Sequence, residues 1–201
     1  EALAQAGLKG AGKVLDVKDA ARCDALVAEI AKESGDIDVL VNNAANDDRH
    51  RIEAVTPAYW DERIAVNLRH QFFAAQAVIP GMKAAGGGSI VNFGSISWMS
   101  GEGGFAVYTA CKAAVHGMTR SLARDFGPDD IRVNTVVPGW IMTPRQERLW
   151  FGPDSERRIM ERQCLQRKLY PPGVARMVLW LAADDGADCT AQNFIVDGGW
   201  V

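Results

Sequence analysis

Ser89-Ile90-Val91-Asn92-Phe93, a helical stretch from Tyr108 to Phe126, and Ile131-Arg132-Val133-Asn134-Thr135-Val136-Val137 together decide the fold of this chain. Both flanking runs are short and rich in Val and Ile, as strands buried on two faces must be. Gly86-Gly87-Gly88 turns the chain into the first run, Gly127-Pro128 stops the helix, and Pro138-Gly139 halts the second run. Strands joined by a helical crossover of about ten or more residues pair in parallel, which makes this a βαβ unit of an α/β fold.

The same alternation extends outward. Lys13-Val14-Leu15-Asp16-Val17 reads as a strand, followed by a helix from about Asp19 to Ser34 that carries Cys23, Leu26, Val27 and Ile30 at helical spacing. Asp38 to Val41 is a further buried strand. Thr56-Pro57 supplies a cap and a first-turn proline for a long helix running through Trp60, Ile64, Leu68, Phe72 and Ile79 to Pro80-Gly81. A helix from Val174 to Ala183 and a strand from Phe194 to Val196 finish the pattern. No repeat or linker divides the 201 residues, so a single domain is expected. Glu1 to Gly7 reads as a helix tail capped by Gly7, which leads us to expect that elements before it are missing and that the domain is incomplete at its N-terminus.

Of the residues, 48% are hydrophobic and 23% charged, with a net charge of −3 and no charge blocks. That balance gives no electrostatic footprint for nucleic acid or an anionic membrane, and no apolar run approaches a bilayer span. Four scattered cysteines without a C-x-x-C pair point to a reducing, cytoplasmic compartment. His50, His70 and His116 lack ligand spacing, so no metal is expected.

In parallel sheets ligands lie beyond the carboxyl ends of the strands. Here those exits are Asp16-Val17, Asn42 to Asn46, Gly94-Ser95 and Pro138 to Thr143. Tyr108 and Lys112, four apart on one helix, share a face, and Ser95 lies thirteen positions before the tyrosine. A phenol holds its proton to about pH 10. An ammonium one turn away is expected to bring that pKa toward neutrality, while a serine hydroxyl holds a substrate oxygen. Such a trio suits proton transfer at an alcohol or carbonyl.

Six motifs in order resemble the short-chain dehydrogenase/reductase family: Asn42-Asn43-Ala44-Ala45, Asn67, Ser95, Tyr108 with Lys112, Pro138-Gly139-Trp140-Ile141-Met142-Thr143, and Asp197-Gly198-Gly199. The resemblance implies a Rossmann-like doubly wound sheet. It makes Tyr108 the acid/base, with Ser95 orienting the substrate oxygen, Lys112 lowering the tyrosine pKa and holding the nicotinamide ribose, and Asn67 placing a relay water. It implies NAD, with NADP the alternative, bound by Asp16, Val17, Asn43, Ala44, Tyr108, Lys112, Pro138, Gly139, Ile141 and Thr143. It further implies a homodimer or homotetramer built through the helices around Trp60 to Ile79 and Tyr108 to Phe126.

Asn46 to His50, Tyr59 to Arg63, Phe93 to Trp98 and Pro144 to Glu147 look like the bacterial sugar 1-dehydrogenases of the family, which oxidise an aldose C1 hydroxyl to a lactone. On that resemblance Asn46, Ser97, Trp140 and Arg145 are candidate substrate residues. Several of these positions have plainer alternatives: Trp98 and Trp140 as core, Arg145 and the Asp47-Asp48 loop as a surface ion pair. The family's glycine-rich phosphate loop is absent from this sequence, and its strand, helix, second strand and part of a helix correspond to roughly 35–50 residues. A dehydrogenase of another alcohol or of 3-oxoacyl thioesters is the competing activity. A non-catalytic module that serves as an oligomer partner is the competing class.

Overall fold

The computed structural model describes Gln5, Gly7 and residues 9–201. The expected helix tail over Glu1 to Gly7 lies outside the described residues, apart from Gln5 and Gly7. In chain order the helices are α1 (Ala20–Ser34), α2 (Pro57–Ile64), α3 (His70–Ala85), α4 (Ser97–Ser100), α5 (Ala106–Phe126), α6 (Pro144–Leu149), α7 (Pro153–Arg162) and α8 (Pro171–Ala182). Among the described residues, four strands, β1 (Val39–Asn42), β2 (Gly88–Phe93), β3 (Ile131–Pro138) and β4 (Asn193–Val196), form one sheet in that order. Every pairing is parallel, with Val41 beside Val91 and Val91 beside Asn134.

Successive strand residues point to opposite faces, and here both faces are covered. Ile90, Ile131 and Val133 pack with Ala75, Val78, Ile79 and Met82 of α3 and with Leu122 and Ala123 of α5. Val91 and Val136 point the other way, onto Val174 and Leu181 of α8. A third cluster, Ile96, Val137, Met142, Ile159 and Trp200, closes over the carboxyl ends of the strands.

Polar residues on these strands are also buried, and they pair with one another. Asn42 Nδ2 donates to Asn92 Oδ1 at 2.9 Å and to the Gln71 carbonyl at 3.2 Å. Asn92 Nδ2 donates to Thr119 Oγ1 at 3.0 Å, and the Thr135 hydroxyl reaches the same oxygen at 2.8 Å. This chain of bonds ties β1, β2 and β3 to α3 and α5 just below the strand exits.

Three expectations need correction. Lys13 to Val17 is not a strand, and Val14 is 97% exposed. An extended segment keeps its form only with a ladder partner, and all of β1's partners lie on β2, so the backbone turns instead, with Asp19 N–H donating to the Asp16 carbonyl. The long helix from Thr56 is capped by Thr56, as expected, but a five-residue π segment, Ala65–Arg69, interrupts it. Helices α6 and α7, after Thr143, were not foreseen. Each has a proline in its first turn and only α7 has a buried apolar residue, Ile159.

Thr119 accepts from two buried donors at once. Thr119→Val keeps the volume but orphans both, which costs about 1–3 kcal/mol. Denaturant melts of the folded variant are expected to show that loss, and an unchanged midpoint would contradict the role of this network.

Candidate active site

Ser95 leaves β2 through Gly94. A Cβ at Gly94 would stand 2.9 Å from His116 Nε2 and 3.0 Å from Thr135 Cγ2, so only glycine lets the chain pass between sheet and helix. The Ile96 N–H donates to the Pro138 carbonyl and the Ser97 N–H to Ser95 Oγ at 3.1 Å, which pins the turn across two strand ends. Helix α5 begins just after Phe105, so Tyr108 sits in its first turn and Lys112 one turn deeper.

Lys112 is 1% exposed. Its Nζ donates to the Phe93 carbonyl at 2.7 Å and lies 5.6 Å from the Tyr108 ring centroid. Asn67, fully buried, occupies the π segment. Its Nδ2 donates to the Arg63 carbonyl at 3.0 Å, and its Oδ1 accepts the Asn46 N–H at 2.8 Å. The widened π turn therefore presents a side chain that also holds the loop after β1.

Electrostatics correct one expectation. Burial pushes the Tyr108 phenol up to about 12, against a smaller downward pull from the Ser95 hydroxyl. Burial lowers the Lys112 ammonium to about 8. Loss of hydration is the largest cause at both groups, and the charges that act on Tyr108 are those of Asp47, Arg49 and Cys111. Neighbouring His70 is pushed down to about 4 by burial and by the Lys112 charge, so its imidazole is neutral at pH 7.

A cavity of about 790 Å³ opens beyond the ends of β1 to β3. Ser95 and Tyr108 line it, while Asn67 and Lys112 stand behind. Of the expected cofactor residues, Asn43, Tyr108, Pro138, Gly139, Ile141 and Thr143 line the cavity, whereas Asp16, Val17, Ala44 and Lys112 do not. Of the expected substrate residues, Ser97 and Trp140 line it. Asn46 is not in its wall; its side chain accepts from the Asp48 N–H.

Arg145 is not in the cavity wall either. Its guanidinium pairs with Asp47 and, at 2.6 Å, with Asp48, and Gln146 Nε2 donates to Asp47 at 2.7 Å. The ion-pair alternative describes these residues: their bonds clasp α6 to the loop after β1. Trp98 is outside the cavity wall and donates to His116 Nε2 at 3.0 Å. Of the Asn46 to His50 loop, Asp47 and Arg49 line the cavity; Phe105, Gln146 and Trp200 line it too, and nothing in the sequence singles them out. No spacing distinguishes them from ordinary loop or core residues.

The family described as enoyl-(acyl carrier protein) reductase matches residues 1–201. D-xylose 1-dehydrogenase of Caulobacter vibrioides is 54% identical over 183 residues, 89% of this chain and 73% of that protein. The chain belongs to the short-chain dehydrogenase/reductase family, and it is an oxidoreductase. A second relative of this dehydrogenase chain, a probable galactose dehydrogenase of Rhizobium meliloti, is 48% identical over 92% of this chain and 72% of its own. The fold agrees. A putative short-chain alcohol dehydrogenase from Sinorhizobium meliloti 1021 superposes with a TM-score of 0.92 at 30% identity, covering 98% of this chain and 78% of that one. No described helix of the dehydrogenase is long and apolar enough to cross a membrane.

Lys112 carries a pH prediction. Its folded pKa of about 8 lies below its ordinary 10.5. Between those values the unfolded chain holds a proton that the folded chain has released, so stability rises with pH there. Relative to Lys112→Met, the wild type is expected to gain on the order of 3 kcal/mol from pH 8 to pH 10.5. Denaturant melts of both proteins at the two pH values check it, and a constant difference would refute the lowered pKa.

Proposed function

We propose that this dehydrogenase oxidises the C1 hydroxyl of an aldose to a lactone with NAD(P). The observation that carries it is a single cavity holding Ser95 and Tyr108 in a chain most of whose length is about half identical to two sugar dehydrogenases. The lining includes an apolar slot, Val41, Phe93, Ile141 and Val174, beside the polar groups of Asn43 and Thr143. That mixture fits a flat nicotinamide ring with hydroxyls attached. Asn43, Pro138, Gly139, Ile141 and Thr143 would hold this half of the cofactor. Bound there, it supplies the acceptor for the hydride leaving C1.

The protein's own groups manage the proton. Ser95 Oγ holds the C1 oxygen, and Tyr108 Oη, acting as the phenolate after its own proton has gone to solvent, takes the hydroxyl proton as the C1–H bond breaks. A phenol held at about 12 is a weak acid until a positive charge comes near. Lys112 keeps one proton on the Phe93 carbonyl, which leaves two for the nicotinamide ribose and its surroundings. Asn67, joined to the Arg63 carbonyl, would place the water that returns the proton to solvent.

Assembly as a dimer or tetramer goes with this function. Trp60 and Phe72 on α2 and α3 are 44% and 43% exposed, an apolar face suited to a second copy. Light scattering of the full-length protein at micromolar concentration is expected to give a multimer, and a monomer would contradict it.

Tyr108→Phe is expected to lower turnover at least about 100-fold, the usual contribution of a general acid or base. The deciding assay follows reduced-cofactor absorbance with aldoses, polyols and 3-oxoacyl thioesters, using NAD and NADP in turn. Turnover of aldoses supports the proposal. Activity confined to the thioesters or simple alcohols would replace the sugar with another substrate.

A further inference from the structure

Arg49 stands out among the charged residues around the cavity. Asp47 is taken by Arg145, Asp48 by Arg145 and Arg63, and Glu102 by Arg158 at 2.8 Å. Among the described residues, no hydrogen bond or ion pair engages the Arg49 side chain, yet it lines the cavity with Ser95 and Tyr108. None of its nitrogens is both sealed from solvent and unpartnered, so its donors face open space.

The guanidinium is nonetheless held in place. Its central carbon lies 3.8 Å from the Phe105 ring centroid and 5.3 Å from that of Trp150. Phe105 in turn stacks on Tyr108, with centroids 5.6 Å apart and planes inclined by 26°. Arg49, Phe105 and Tyr108 thus form one continuous stack, and it fixes the distance from a five-donor fork to the phenol. The Arg49 charge also acts favourably on the Tyr108 phenolate, as expected of close neighbours. A cation fixed by aromatic rings rather than by carboxylates keeps its hydrogen-bonding capacity for a ligand.

We propose that Arg49 is a specificity-determining residue that donates hydrogen bonds to the substrate oxygens remote from the reacting carbon. The assignment rests on the aldose-oxidising function above. Neutral hydroxyls suit the surroundings better than an anion does. Asp47 and Glu102 line the same cavity, so a hydroxyl can accept from Arg49 while donating to a carboxylate, whereas a carboxylate ligand has no proton to donate to either.

The test uses the full-length protein with its cofactor and compares wild type, Arg49→Met and Arg49→Lys on D-xylose, its deoxy analogues and D-glucuronate. Arg49→Met is expected to raise KM for D-xylose roughly 10- to 100-fold, the range for a hydrogen bond to a charged donor, with kcat changed less than about threefold. The wild type's preference for D-xylose over one deoxy analogue should collapse in the same variant, because an absent donor cannot reward the hydroxyl. Cofactor KM should not move, a readout that a merely structural role would not spare. Arg49→Lys keeps the charge, loses the fork and should be intermediate; if Arg49→Met does not fold, it carries the same readouts. Unchanged KM and unchanged deoxy discrimination in a folded variant would overturn the assignment, and so would a wild-type preference for D-glucuronate. Absence of aldose turnover in the wild type would instead overturn the proposed function itself.

Discussion

A lysine ammonium buried to 1% exposure has almost no water to fall back on, and the site is arranged around that constraint. Lys112 spends one proton on the Phe93 carbonyl, at the last residue of β2, so its position is set by the strand and not by solvent. Burial keeps His70 neutral, and the Lys112 charge adds to it. One turn earlier along α5, Tyr108 shares the same poorly hydrated space, and burial drives the two pKa values toward the neutral forms of both. At pH 7 a pKa of about 8 leaves Lys112 charged, and one of about 12 leaves Tyr108 protonated. Charge brought into the cavity by ligands would decide which way the proton moves.

The scaffold beneath is rigid for a related reason. A parallel sheet covered on both faces leaves its polar side chains no solvent, so Asn42, Asn92, Thr119 and Thr135 satisfy one another across three strands and a helix. Above that plane the contacts change character. The loop after β1 and helix α6 meet through Arg145, Asp47, Asp48 and Gln146, all partly exposed to water. Such pairs are screened and individually weak, so the contact between this loop and α6 can open without disturbing the core. Ser95, Tyr108 and Lys112 sit on the rigid layer, and the loop after β1 and α6 form the adjustable one.

Much of this was legible in the chain itself. The βαβ unit from Ser89 to Val137, the capped start at Thr56-Pro57, and the placement of Ser95 and Tyr108 at one cavity follow from β-branched runs, helix caps and four-residue spacing, all local properties. Lys13 to Val17 misled because β-branched residues announce a strand whether or not a partner strand is there to pair with it. Arg145 and Arg49 could not be told apart by sequence. Both are arginines in polar loops beyond strand exits, yet carboxylates occupy one and aromatic rings hold the other.

By itself, then, the sequence determined the element types, the parallel sheet, and which residue types stand at its carboxyl edge, because these depend on near neighbours along the chain. Only the tertiary structure decided the π turn that presents Asn67, the pKa values of Tyr108 and Lys112, and the partners of each charged loop residue. Those outcomes depend on burial and on contacts such as Arg145 with Asp47, 98 residues apart, whose geometry exists only once the layers have packed.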